Sequence, residues 1–345
     1  MKKSTSIFDR VAYAINVLFA LLLIVTGLIS YVPLRFFAAI SVLSLVVPFL
    51  FALNALFFLY WAIQFKRRFI LSLLAMGFGY LMFGPFYGFD KAEPYQETAS
   101  DLKIMSYNVW GFNKNGWMPD AGIGDSIIEL VEKVNPDILC VQEHNRRRNK
   151  QLQQYPYRSE TPNFNRRATQ AIFSKYPIVN NGSLDLPHTQ NNIIYADILF
   201  QMDTVRVYNL HLQSFKLKPS TDNFTDGEKS ERTYKRLVST FAKQLEQAEI
   251  FREHFNKSPY VNIVCGDLNN TQFSNIYKIV KGDLQDSFLE MGKGWGRTYD
   301  FVKFPLRIDY ILADENFEVL SHQNFDQHLS DHYPVMATLR LKSHQ

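Results

Sequence analysis

Polar side chains stand at the ends of several apolar runs in the C-terminal three quarters of the 345-residue chain. Loops at sheet ends are where rigid scaffolds present reactive groups. Carboxylate and amide oxygens suit a hard divalent cation such as Mg²⁺ or Mn²⁺, and such a site keeps room for water and a phosphate. The residues concerned are Asn108, Glu143, His211, Asp267, Asn269, Asp309, Asp331 and His332.

This set of side chains could hydrolyse a phosphoester. A divalent metal lowers the pKa of bound water, and fixed donors aimed at developing charge contribute about 10²–10³-fold each. Each residue alone is a weak signal, because a strand-end Asp is usually a turn former and His211 could be a core histidine. Two histidines could suggest zinc, yet both lie among acids and amides that suit phosphate binding. The prediction of phosphoester hydrolysis therefore depends on the order of the segments along the chain.

The segments around these residues predict alternating strands and helices. Residues 101–109 alternate apolar and polar side chains, residues 123–134 have a helical pattern, and residues 137–142 form a buried strand. Residues 226–255 are a long amphipathic helix, and further strands follow to the end of the chain. We therefore expect an α/β domain over 101–345, in which two packed sheets are flanked by helices.

Three long uncharged runs precede this domain, at about 11–34, 36–65 and 69–89. Each reaches the roughly 20 residues that a helix needs to cross a bilayer, so residues 1–89 are predicted to be a transmembrane anchor. Bases flank the first run on its N-terminal side and fill the loop at 66–68, which places both on the cytoplasmic side. Residues 90–100 read as a polar linker, and the following domain is then extracytoplasmic.

Charge and cysteine content exclude other classes of protein. The chain has a formal charge of +4, but residues 1–89 hold seven bases and one acid, so the remainder is slightly acidic. This balance argues against a broadly cationic nucleic-acid binder. The two cysteines, Cys140 and Cys265, exclude a disulfide scaffold and a zinc site built from cysteines, and both are predicted to be buried thiols.

The order of these motifs resembles the endonuclease/exonuclease/phosphatase superfamily, which includes DNase I-like nucleases, abasic-site endonucleases, inositol polyphosphate phosphatases and neutral sphingomyelinases. The resemblance covers about residues 101–341 and implies a four-layer α/β/β/α sandwich. One departure is Gln170, where members often place a glycine. The motifs are SYNV, QE, AIFSKYPI, NLHLQS, GDLNN, RIDYIL and SDHYPV.

The resemblance also implies roles for individual residues. Glu143 is expected to be the main metal ligand, helped by Asn108 and Asp331, with Mg²⁺ or Mn²⁺ bound. Asp267 should orient or deprotonate the attacking water, and Asn269 should hold a phosphate oxygen. The remaining roles fall to His332 at the scissile phosphate, Asp309 as its partner, and His211 at the phosphate or the leaving oxygen. Whether Asp267 or His332 is the base stays open.

Three loops are expected to select the substrate, at 110–120, 214–227 and 288–300, each with aromatic residues that could stack, bind acyl chains or fill local pockets. The basic run at 146–150 reads as a solvated face or a phosphate-binding rim. We expect a membrane-anchored phosphoesterase acting on a lipid-linked or other exported phosphoester. The alternatives are an extracytoplasmic DNA or RNA nuclease and a non-catalytic receptor. The expected partners are the bilayer and the substrate, with no protein partner predicted.

Overall fold

The computed structural model describes residues 6–31, 38–89, 95–162, 168–184, 186–216, 227–301 and 304–342. In chain order the α-helices are α1 (Ile7–Ile29), α2 (Ala38–Ser41), α3 (Val47–Ile63), α4 (Phe69–Phe83), α5 (Ile123–Val134), α6 (Gly227–Phe255), α7 (Asn275–Lys281) and α8 (Ser287–Met291). Short 3₁₀ turns occupy Val42–Val46, Trp110–Asn113 and Arg146–Gln151.

An N-terminal bundle is formed by α1, α3 and α4, which pack against one another. Polar contacts close one end of the bundle, where Lys66 Nζ lies 2.6 Å from Asp9 Oδ2. The opposite end of the bundle contacts the C-terminal domain. There, Gln272 Nε2 donates a hydrogen bond to the carbonyl of Phe83 at 3.2 Å, and the ring of Phe273 packs against the ring of Phe83. The helix α4 therefore returns the chain from the basic loop to the C-terminal domain.

Two helical segments, Ile7–Ile29 and Ala38–Ile63, are long and apolar enough to cross a membrane, whereas the sequence predicted three. The third, α4, has 15 residues and spans about 22 Å, short of the roughly 30 Å of a hydrocarbon core. It ends early because Gly84 adopts a positive φ of 76° and Pro85 follows. Only 28% and 22% of the most apolar windows of the two longer segments are buried, so most of their side chains face outward.

Proline 48 marks a change of helix type inside the second apolar run. The chain forms a 3₁₀ turn over Val42–Val46, and Pro48 then occupies the first turn of α3. A proline is tolerated there because the first amides of a helix have no intrahelical acceptor. The second apolar segment is therefore interrupted before α3, and its first part packs on the C-terminal domain.

The described residues of the C-terminal domain form two six-stranded sheets and a small ribbon. The strands are β1 (Asp101–Asn108), β2 (Ile138–Gln142), β3 (Tyr157–Glu160), β4 (Ala171–Ser174), β5 (Ile178–Leu184), β6 (Asn192–Phe200), β7 (Asp203–His211), β8 (Val261–Asp267), β9 (Gln285–Asp286), β10 (Tyr299–Phe301), β11 (Phe304–Leu306), β12 (Asp309–Ala313), β13 (Phe317–Asn324) and β14 (Val335–Leu341). The first sheet has the order β13-β14-β1-β2-β4-β3, and the second has the order β5-β6-β7-β8-β12-β9.

The central strands are buried on both faces. In β1, Ile104 faces the core between the sheets while Met105 faces the core beneath α5, as the two-residue period of a strand requires. The helices α6 and α7 cover the outer face of the second sheet. Cys140 and Cys265 are buried free thiols, as predicted. The predicted sandwich of two sheets flanked by helices is confirmed.

A buried ion pair holds the segment that leads into β12. Arg307 Nη1 lies 2.7 Å from Asp286 Oδ2, and both side chains are more than 90% buried. Burial alone would raise the pKa of Asp286, but the Arg307 charge and the hydrogen bond from Tyr277 hold that pKa below its ordinary value. The carboxylate therefore stays ionised inside the protein.

Replacing Asp286 with Ala should strongly destabilise the protein, because it leaves Arg307 buried without its counter-charge. Loss of one partner costs about 3–5 kcal/mol, which corresponds to a fall of roughly 6–20 °C in apparent melting temperature. Thermal unfolding of the full chain in detergent measures the change. The control is Glu231→Ala, which breaks an exposed pair with Lys235 and should shift melting by no more than about 2 °C. Equal shifts in both variants would contradict this assignment.

Candidate active site

Strand register brings three of the predicted residues side by side. In the second sheet His211 of β7 is paired with Asp267 of β8, and Asp267 is in turn paired with Asp309 of β12. In the first sheet the register pairs Asn108 with Gln142, the residue before Glu143. Both sheets therefore end at the same edge of the sandwich, and each delivers polar side chains there.

Asp267 is the centre of this group and is 1% exposed. Asn108 Nδ2 donates to Asp267 Oδ2 at 3.1 Å across the gap between the sheets. The backbone amide of Asn269 donates to Asp267 Oδ1 at 2.7 Å, and its side-chain amide donates to Oδ2 at 3.1 Å. Burial raises the pKa of Asp267 to about 6, although the charges of His332 and His211 pull it down.

His332 is held by two carboxylates. Its Nδ1 lies 2.9 Å from Asp309 Oδ2, and its Nε2 lies 3.6 Å from Asp267 Oδ2. Burial alone would lower the pKa of His332, but the charges of Asp309 and Asp267 raise it well above its ordinary value. Its Nε2 therefore faces the carboxylate that the sequence predicts to orient or deprotonate the attacking water.

Glu143 and Asn269 adopt strained backbone conformations at the edge of the site. Their φ angles are 50° and 49°, in the left-handed region that residues with a side chain rarely occupy. Such strain, about 1–3 kcal/mol per residue, persists only where the surrounding structure enforces it and is typical of functional sites. The Glu143 carboxylate lies near His211, whose Nε2 is 3.9 Å from Glu143 Oε1.

The donor set fits a divalent cation. Burial raises the pKa of Asp331, the charge of His332 lowers it, and the negative charge of Glu143 raises it again, so two acids lie near each other at this edge of the site. The Oδ1 atom of Asp309 and Nδ1 of His211 are buried and have no hydrogen-bond partner among the described residues. Oxygen-rich sets of this kind suit Mg²⁺ or Mn²⁺.

One difference from the predicted ligand set concerns Asp267, Asp309 and His332. These three residues present ligand atoms within 4.8 Å of one another, whereas the sequence predicted Asn108, Glu143 and Asp331 as ligands. The predicted ligands line the same cleft as Asp267 and His332.

Sequence reasoning missed the residues that support the site. Thr298 Oγ1 accepts hydrogen bonds from the amides of Ile308 and Asp309, which fixes the start of β12. Asn209 Nδ2 donates to the carbonyls of Val141 and Ala171 in the opposite sheet. These contacts carry no periodic signal in the sequence.

Gln170, the departure from the family pattern, is one of these supporting residues. It is fully buried, and its side-chain amide donates to the Asn209 carbonyl at 2.9 Å. It joins the first sheet to β7, two residues before His211. The larger side chain therefore adds a further link between the sheets.

The predicted substrate loops have mixed outcomes. Trp110 stacks on Trp117 with ring centroids 4.4 Å apart, and Tyr299 lies against His332 with centroids 5.0 Å apart. Most of the 214–227 loop lies outside the described residues. In the basic run, Arg146 pairs with Glu160 and Arg148 with Asp125, so these two arginines bind neighbouring acids and form no open rim.

Comparison with known proteins follows the same division of the chain. A model of the endonuclease/exonuclease/phosphatase family matches residues 105–332, and a model of a domain of unknown function (DUF8431) matches residues 9–86. No curated protein sequence matches the chain.

Solved structures share the fold of the C-terminal domain. Danio rerio TDP2 complexed with single-strand DNA product is 16% identical, with a TM-score of 0.54 over 70% of this chain and 99% of that one. An endonuclease/exonuclease/phosphatase family protein from Bacteroides thetaiotaomicron is 18% identical, with a TM-score of 0.51 over 71% and 98%. The human Nocturnin catalytic domain with bound sulfate is 15% identical, with a TM-score of 0.51 over 72% and 97%.

Metal binding should stabilise the protein through Glu143. At a metal concentration of about 100 times the dissociation constant, binding adds about 2.7 kcal/mol, or roughly 5–10 °C in melting temperature. We expect Mg²⁺ or Mn²⁺ to produce this shift in the full chain and in His332→Ala, and Glu143→Gln to remove it. The exposed Glu290→Gln is the control and should keep the shift. A wild-type protein indifferent to both ions would contradict the metal site.

Proposed function

Because this chain belongs to the endonuclease/exonuclease/phosphatase family, we propose that it is a divalent-metal-dependent phosphoester hydrolase held at a membrane. One observation carries the proposal: Asp267 is buried between the two sheets, with His332 3.6 Å away on one side and His211 3.8 Å away on the other. Members of the family are generally phosphoester hydrolases. An acid and two imidazoles around one cleft provide a base and two groups that can stabilise phosphate.

The residues of this chain would divide the reaction as follows. The oxygen of a water attacks phosphorus, its proton passes to Asp267 Oδ2, and the P–O ester bond breaks. The cationic Nε2–H of His332 contacts a phosphate oxygen, since Asp309 holds the other ring nitrogen. His211 would donate the proton that the leaving oxygen takes up, and Asn269 would contact a further phosphate oxygen. The position of Asp267 between the two imidazoles supports it as the base.

Glu143, Asp331 and Asn108 would hold the metal. A bound Mg²⁺ or Mn²⁺ would supply positive charge to the phosphate and lower the pKa of a bound water. The shared position of Asn108, Glu143 and Asp331 in one cleft supports this placement. The carbonyl of Asn108 accepts a hydrogen bond from Ser330 Oγ at 2.8 Å, which ties the end of β1 to the Asp331 loop.

We also propose that residues 1–89 anchor the enzyme, that 90–100 link it, and that residues 101–345 act outside the cytoplasm. Lys66 and Arg68 lie at the end of the bundle where they contact Asp9, away from the catalytic domain. Positive residues favour the cytoplasmic side, so the opposite end and the domain docked on it would be extracytoplasmic. In this arrangement α4 is the third membrane crossing, although it has only 15 residues. It reaches the catalytic domain at Phe83, whose carbonyl accepts a hydrogen bond from Gln272.

Loss of His332 or of its partner should abolish turnover. We expect His332→Ala to lower the rate by about 10²–10³-fold and Asp309→Asn by about 10²-fold, because each removes a fixed charge at the phosphate or its support. The measurement is release of nitrophenol from bis(p-nitrophenyl) phosphate and from p-nitrophenyl phosphate by the full chain with Mg²⁺. The exposed His328→Ala should retain the wild-type rate.

The same assay separates the alternatives. Wild-type rates in both His332→Ala and Asp309→Asn would place the reaction elsewhere. No hydrolysis of either ester by the wild type would favour a non-catalytic receptor. Nicking of plasmid DNA that is lost in Glu143→Ala would favour a nuclease.

Protease treatment tests the orientation. Protease added to intact spheroplasts should cleave the domain at 101–345 and leave the anchor, because the domain is exposed outside the membrane. A protein with a cytoplasmic marker domain is the control and should remain intact. Full protection of the catalytic domain would reverse the topology.

A further inference from the structure

A cavity of about 760 Å³ opens between the N-terminal bundle and the candidate active site. Its floor is polar and includes Glu143, His211, Asp267 and His332. Its walls are apolar, and a volume of this size is typical of sites that enclose small organic ligands. The apolar lining includes Val42, Leu45, Val46, Phe49 and Phe304.

The N-terminal segment builds one wall of this cavity. Val42 and Leu45 pack on the core of the catalytic domain. Val46 and Phe49 also line the cavity and are 39% and 54% exposed. Phe49 stacks on Phe304 of β11, with ring centroids 5.2 Å apart. The anchor therefore contributes side chains to the site itself, a role beyond tethering.

The apolar wall continues onto the outer surface of the bundle. Phe49, Leu56 and Ile63 are spaced by seven residues, so they lie on one face of α3, and all three are exposed. This face belongs to one of the two segments that are long and apolar enough to cross a membrane. An alkyl chain could pass from a bilayer along this stripe into the cavity without leaving apolar surroundings.

A second cavity, of about 550 Å³, lies on the other side of Glu143. It shares Glu143, His211, Ser214 and Lys216 with the first cavity, and its remaining lining is mostly polar and includes Lys243. The catalytic residues thus stand between an apolar and a polar compartment. A substrate that spans them must have a long apolar part and a polar part on the two sides of its phosphate.

We propose that the substrate is a lipid phosphoester whose alkyl chain occupies the apolar cavity and whose polar group occupies the second cavity. This inference rests on the proposed hydrolase activity and names its substrate class. Nucleic acid fits this geometry less well, because the walls beside the site offer aliphatic and phenyl groups and few cations to a sugar–phosphate chain. The bundle would then both hold the enzyme at the bilayer and bind its substrate.

A matched pair of chromogenic diesters tests the chain cavity. The full chain in lipid nanodiscs with Mg²⁺ is assayed on p-nitrophenyl hexadecyl phosphate and on p-nitrophenyl ethyl phosphate. We expect the wild type to favour the hexadecyl ester in kcat/KM by about tenfold or more. Val46→Trp fills the cavity and Phe304→Ser removes part of its wall, so both should reduce that ratio by about tenfold. Leu18→Trp, at an exposed position of α1 that is neither on the stripe nor in the cavity lining, is the control and should keep the ratio.

Each outcome has a separate meaning. Hydrolysis of both esters at equal kcat/KM, or an unchanged ratio in Val46→Trp and Phe304→Ser, would overturn the lipid cavity and leave the hydrolase intact. Hydrolysis of neither ester would overturn the proposed function.

A binding experiment tests the lipid cavity independently of hydrolysis. Hexadecylphosphonate, but not ethylphosphonate, should protect His332→Ala from heat unfolding, and adding Val46→Trp should remove that protection. Equal protection by the two phosphonates would contradict the cavity.

Discussion

The arrangement of the catalytic domain depends on keeping one carboxylate, Asp267, buried between two sheets. An ionised carboxylate out of water is strongly unfavourable unless hydrogen bonds and opposite charges surround it. Asn108 from the first sheet and Asn269 from the second supply the hydrogen bonds, and His332 supplies the charge. This requirement fixes the separation of the sheet ends, because the Asn108 amide must reach Asp267 at 3.1 Å.

A second set of polar contacts holds the sheets in that position. Asn209 donates to two carbonyls of the opposite sheet, and Gln142 and Gln170 both donate to its side-chain oxygen. These groups are buried, so breaking one leaves an unsatisfied polar atom at a cost of about 1–3 kcal/mol. The contacts adjoin Glu143 and His211 in sequence. The site is therefore built on a rigid support, which stabilising developing charge requires.

The N-terminal bundle adds an apolar boundary to this polar centre. Its 3₁₀ turn and the start of α3 pack on the catalytic domain through Val42 and Leu45, and Phe49 closes over Phe304. A hydrophobic wall beside buried charges lowers the local dielectric and strengthens their interactions. The same packing explains how one chain could combine membrane attachment with selection of a lipid phosphoester, as we propose.

The sequence by itself predicted two packed sheets flanked by helices and eight polar residues at the ends of apolar runs, because periodicity and strand-end positions are local properties of a sequence. Tertiary structure alone decided which side chains meet. The contacts of Thr298 with Asp309, of Asn209 with the opposite sheet and of Arg307 with Asp286 join segments that local patterns treat separately. Tertiary structure also set the cavity between Phe49 and Phe304, since hydropathy measures the apolar character of a run and does not identify what it packs against.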